Sequence, residues 1–164
     1  MSEAKHLAEA LDGFFTNDQN GWFMPIRSAI QGLTAEQAAN VPAEGFNSVW
    51  RVVNHLIYWT EIMTLRLAGQ QVDRKNLPNS DGWPKPAFPP TEEAWKRDCE
   101  RLLGVNKNLV NFVSRQIDET LSERMSPGQP KRWQAIQGII AHNSYHTCEI
   151  ISIRHMQGLW LEGV

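Results

Sequence analysis

Cysteine is scarce in this chain: only Cys99 and Cys148 stand among 164 residues. A fold stapled by several disulfides is therefore excluded, and the usage fits a reducing compartment. An excess of charge of either sign is also lacking. With 16 Lys and Arg against 18 Asp and Glu, the formal net charge is −2. The broad positive field of a general nucleic-acid binder is missing, so DNA or RNA is not an expected partner. Long apolar runs are lacking too. No uninterrupted stretch could span a bilayer, and the opening "MSEAKHLAEALDGFF" interrupts its apolar residues with acidic and polar ones, unlike a secretion signal. A soluble, cytoplasmic protein without membrane contact is expected. There is no internal repeat and no low-complexity tract. The length suits one domain, residues 1–164, able to bury roughly two-thirds of the surface its unfolded chain exposes.

Proline is concentrated rather than scattered. Five of the 9 prolines fall in "LPNSDGWPKPAFPP", residues 77–90, where fixed φ angles and missing donors forbid helix. Helical patterns flank this segment. "NGWFMPIRSAIQGL" spaces Trp22, Phe23, Ile26, Ile30 and Leu33 by threes and fours. Pro25 is tolerable only near a first turn, so either a helix starts there or an earlier one kinks. "TAEQAANVP" reads as one short helical turn and an exit. Asn47 or Ser48 can cap a long helix through about Leu67, closed by Gly69, whose stripe is Val49, Val52, Val53, Leu56, Trp59, Met63 and Leu67. Beyond the prolines, Thr91 caps a helix with Glu92 and Glu93 in its first turn, running to about Gln116. A last helix runs from near Arg132 to Gln157, ended by Gly158. Four long helices and no convincing strand predict an all-α four-helix bundle with a long proline-rich connection, a crossover, between helices 2 and 3.

Only five histidines are present, yet two of them, His142 and His146, sit four apart in "AIQGIIAHNSYHTCEIISIRH". On the last helix His146 lies inside the stripe of Ile136, Ile139, Ile140, Ile150 and Ile153, with His142 and Glu149 at its edge. His55 lies just outside the stripe of the second helix. An i, i+4 pair presents two nitrogens to one ion without bending the backbone, and neutral imidazole binds zinc or nickel at about 2.0–2.1 Å. A third imidazole from a neighbouring helix completes a three-histidine face with an open position, the form of a reactive rather than a structural site. The same spacing also arises by accident, each ring then bonding a carbonyl or a water. Asn143 stands where H-E-x-x-H peptidases have glutamate, which disfavours that chemistry. His6 and His155 suit surface or helix-end roles. Cys148 points away from His146 and, like Cys99, suits a small packed or interface position. Glu149 is either an orienting partner for an imidazole or a solvated edge charge. Arg154, on the inward half of its helix, suits a structural partner or an anion contact. Trp50, Trp59 and Trp133 fit core positions, and Trp83 is placed to wall a pocket.

Two longer stretches carry a resemblance. "GLTAEQAANVPAEGFNSVWRVVNHLIYWTEIMTLRLAG" (32–69) and "GIIAHNSYHTCEIISIRHMQGLW" (138–160) resemble the DinB-like superfamily, which is related to YfiT-type hydrolases and to enzymes dependent on mycothiol or bacillithiol. The family pattern, a histidine early in the second helix and H-x-x-x-H in the fourth, is matched by His55, His142 and His146. The proline segment and third helix match only in position and length. The resemblance implies a divalent metal ion, nickel or zinc, on those three histidines, and a homodimer. It implies a metal-dependent enzyme, a hydrolase or thiol S-transferase, that activates water or a low-molecular-weight thiol toward a small-molecule substrate. No catalytic residue beyond the metal ligands is assigned. The alternative is a non-catalytic dimeric binding or assembly module whose metal is incidental or structural.

Overall fold

The structure, a computed structural model, describes residues 2–16 and 22–161. Among them the chain is helical, with seven α-helices and no strand; Arg124 and Lys131 form one isolated β-bridge. In order these are α1 (Glu3–Gly13), α2 (Ile26–Ile30), α3 (Ala35–Ala39), α4 (Val49–Leu67), α5 (Glu92–Ser114), α6 (Asp118–Ser122) and α7 (Arg132–Met156). No helix among these residues is long and apolar enough to cross a membrane.

The helix boundaries follow local chemistry. Ser48, rather than Asn47, caps α4, its Oγ accepting the Arg51 amide at 3.2 Å. Thr91 Oγ1 takes the Ala94 amide at the start of α5, and Glu92 reaches across to accept the Ala35 amide at 2.8 Å, tying α5 to α3. Thr34 and Gln37 form a reciprocal capping box on α3. Gly69 and Gly158 end α4 and α7 at positive φ, +83° and +72°, where a side chain would be strained. The Arg132 guanidinium donates to the Leu67 carbonyl, satisfying one of the open acceptors at the end of α4.

The first helix departs from the sequence reading. Of the pattern over 20–33, Asn20 and Gly21 lie outside the described residues, and only Ile26–Ile30 is helical, with Pro25 as its N-cap. Trp22 and Phe23 are 88% and 55% exposed. The long first helix is instead Glu3–Gly13, whose Ala4, Ala8 and Leu11 recur at i, i+4 and i+7 and are buried. Its small residues let α1 lie close to α5 and α7, and they carry too little hydrophobicity to advertise a core helix.

Each of α1, α4, α5 and α7 packs against two of the others: α4 on α5 and α7, α1 on α5 and α7. Trp50 meets Trp95 near the beginnings of α4 and α5, while Glu61 binds Arg101 further along both. The apolar interior divides into two clusters. One gathers Phe15, Ile26, Trp50, Leu56, Leu102 and Ile153. The other gathers Leu11, Leu67, Leu109, Val113, Leu121 and Ile136. Buried polar residues also lie along α4, α5 and α7: His55 beside the first cluster, and Thr60, Asn106, Asn143, His146 and Thr147 where the helices pass from one cluster to the other. Arg154, 6% exposed, bonds the carbonyls of Ala29 and Gln31 and joins α7 to the α2 turn. Its partners are carbonyls rather than a carboxylate, so its role is structural.

Candidate metal centre

His55 sits two turns into α4, and His142 and His146 occupy adjacent turns of α7, the helix packed against it. One ring nitrogen of each lies within 4.8 Å of the others. His55 and His146 are buried, 6% and 5% exposed, and His142 is half-buried. The three rings that the sequence placed at the border of core and solvent therefore meet at one point.

Their hydrogen bonds orient them. His55 Nδ1 lies 2.6 Å from the Gly82 carbonyl, which can only accept, so Nδ1 carries the proton and Nε2 holds the lone pair. His146 Nδ1 lies 2.7 Å from Glu149 Oε2 and likewise donates, leaving Nε2 free. His142 Nδ1 faces Asn143 Oδ1 at 3.4 Å, a long contact of the same polarity. In these tautomers His55 Nε2 and His142 Nε2, 3.1 Å apart, present lone pairs to each other. Two acceptors at that distance repel unless a cation stands between them. Cis nitrogens bound to one divalent ion at about 2.1 Å are separated by roughly 3.0–3.4 Å, so the donor set fits a metal.

Burial first, then the neighbouring imidazoles, lowers the His55 pKa from 6.5 to about 4, against a smaller raising effect from its bond to Gly82. Burial and His146 lower that of His142. Both rings are thus neutral at pH 7, the protonation state that a metal ion requires. The hydrogen bond from His146 holds the Glu149 carboxyl below its ordinary range, assisted by Asn47.

Residues of the segment between α4 and α5 lie against these rings. Trp83 stacks on His55 with centroids 3.7 Å apart and planes 20° from parallel. Gly82, at φ +80°, leaves no room for a side chain: a Cβ there would meet Trp59 Nε1 at 2.9 Å. The result is an open cavity of about 520 Å³ in which Trp59, Trp83 and Tyr145 surround the three histidines, with Asn47 and Glu149 at one side. Trp83 thus walls a pocket as its setting suggested, and Trp59 shares that task instead of being wholly core. Glu149 is an orienting group and not a solvated charge: its second oxygen accepts the Asn47 amide at 3.0 Å. Asn47 and the Gly82 carbonyl escaped the sequence reading. Asn47 carried only a helix-cap signal, and a backbone carbonyl carries none.

Neither thiol joins the centre. Cys148 is exposed, and Cys99, half-buried on α5, is pushed up to about 12 by burial and by Asp98 and Glu100. His155 stacks on Trp160 and lies outside the cluster, as does the exposed His6.

A family model described as the DinB superfamily matches residues 24–149, a span that holds all three histidines. No curated protein and no solved structure matches the chain.

Proposed function

The chain belongs to the DinB superfamily, and on that premise we propose that it is a metal-dependent enzyme whose divalent ion, nickel or zinc, is held by His55, His142 and His146. The observation that supports this reading is the gathering of one ring nitrogen from each of three histidines within 4.8 Å, with the Nδ1 of His55 and of His146 already engaged elsewhere. Such an ion supplies Lewis acidity, lowering the pKa of a bound water or small thiol for hydrolysis or thiol transfer.

The chain's own residues do the rest. Glu149 holds the His146 proton on Nδ1, and Asn47 fixes Glu149. The Gly82 carbonyl does the same for His55, while Trp83 presses on that ring's face. Trp59, Trp83 and Tyr145 offer an aromatic wall against which an apolar part of a substrate can pack. Three protein nitrogens leave coordination positions for a substrate, unlike a closed four-ligand structural site.

The same reading takes the four long helices as a four-helix bundle. Trp50–Trp95 and Glu61–Arg101 pair the beginnings and middles of α4 and α5, which supports parallel helices and a proline-rich crossover between them. A cytoplasmic homodimer acting on a small molecule, without nucleic-acid or membrane partners, completes the proposal. Metal-loaded protein, tested with bacillithiol, mycothiol, glutathione or water against electrophiles and simple esters, is expected to turn over at least one pair. His142→Ala is expected to lose about 100-fold or more of that rate. Equal rates for the two proteins would remove catalysis from the account.

A further inference from the structure

A second and larger cavity, about 970 Å³, lies beside the metal centre. Its wall includes Ser48 and Arg51 from the first turn of α4, and Lys85, Pro86 and Phe88 from the proline-rich connection. The two cavities share structure. Arg51 is four residues before His55 on α4, so their side chains rise from one face about 6 Å apart along the axis. Trp83, a wall of the metal cavity, links them: it stacks on His55, and the guanidinium carbon of Arg51, on the wall of the larger cavity, lies 5.8 Å from its ring centroid.

Arg51 has no carboxylate of its own. It forms no ion pair among the described residues, and its Nε is buried without a hydrogen-bond acceptor. A guanidinium whose charge no carboxylate balances is free to pair with an external oxyanion through its terminal nitrogens. Lys85, exposed on the same wall, adds a second positive charge. The only carboxylate on that wall is Glu36, which is exposed and paired with neither. The metal cavity shows the opposite character: aromatic, with one carboxylate and no cation.

We propose that Arg51 and Lys85 receive the anionic group, a carboxylate or phosphate, of the small molecule whose reacting atom lies at the three histidines. A planar guanidinium matches either oxyanion in a bidentate manner, and Trp83 fixes its orientation by cation–π contact. The substrate would then carry its anion on the order of 6–10 Å from its reactive atom, following the one-turn offset of Arg51 from His55. The position of the reacting atom rests on the metal-enzyme reading; the anion pocket itself does not.

The test uses metal-free full chain titrated with inorganic phosphate, benzoate and the neutral benzamide, with nickel titrated in parallel. Phosphate or benzoate should bind saturably with Kd on the order of 1 mM, and benzamide should not. Arg51→Gln should weaken the anion about tenfold or more, and Lys85→Gln about threefold, both retaining wild-type nickel affinity. His142→Ala should leave anion binding intact. Lys85 is exposed, so its variant tests the pocket even if Arg51→Gln fails to fold. Absence of saturable anion binding, or equal affinity in wild type and Lys85→Gln, overturns the inference. Phosphate binding without nickel binding would instead sink the metal reading and leave the anion pocket standing.

Discussion

Glu149 has both carboxylate oxygens engaged, one by His146 and one by Asn47. That engagement decides between a general base and an orienting group, because a carboxylate already fixed at both oxygens is poorly placed to collect a substrate proton. Replacing it with Gln keeps the shape but removes the charge that favours the Nδ1 proton of His146. Glu149→Gln should therefore weaken nickel binding about 10–100-fold while leaving the fold intact, as calorimetric titration would show. Unchanged affinity would return Glu149 to the status of an edge charge. At this scale the sequence was informative where chemistry follows spacing: His142 and His146 share a helix face by their four-residue interval, and His55 stood at the border of the stripe on the second helix, a placement that the family pattern reinforced. It offered Asn47 only as a helix cap and was silent on Arg51, because their partners Glu149 and Trp83 come from segments remote in sequence.

Among the elements, the segment between α4 and α5 does more than join them. Its prolines announced the absence of helix, but the placing of Gly82 and Trp83 over His55 depends on tertiary contacts with Trp59 that no local pattern reveals. Gly82 needs positive φ and has no room for a methyl group, so Gly82→Ala combines backbone strain with displacement of the Trp59 indole. A loss of about 1–3 kcal/mol in denaturant unfolding is expected, together with weaker metal binding as the carbonyl that orients His55 moves. Wild-type stability and affinity in that variant would show the connection to be a passive tether. The long helices α4, α5 and α7 were legible because capping residues and apolar stripes coincide at Ser48, Thr91 and Gly158. Helix α1 was not, since Ala4 and Ala8 bury well while signalling little, whereas Trp22 and Phe23 mimic a core stripe and lie exposed.

Across the whole molecule the apolar interior falls into two clusters, and two of the three histidines, His55 and His146, are buried polar residues beside it. Burying neutral imidazoles ties stability to pH. His55 falls from 6.5 to about 4, and His142 is shifted in the same direction. Below pH 6.5 the unfolded chain takes up protons that the folded chain resists, so the metal-free protein loses stability as pH falls from about 6.5 toward 4. The lowered Glu149 carboxyl acts with the same sign at the acidic end. Melting temperature of the metal-free protein should therefore be level above pH 7 and decline through this window, less steeply in His55→Asn. A melting temperature that holds or rises on acidification would contradict the buried, neutral imidazoles described above.

The convergence of His55, His142 and His146 on one ion is tested most directly by X-ray absorption spectroscopy of nickel-loaded protein purified without a histidine tag, beside His55→Ala. The account predicts one ion per chain with three imidazoles in its shell, falling to two in the variant. Substoichiometric nickel, or a shell unaltered by loss of His55, would contradict it.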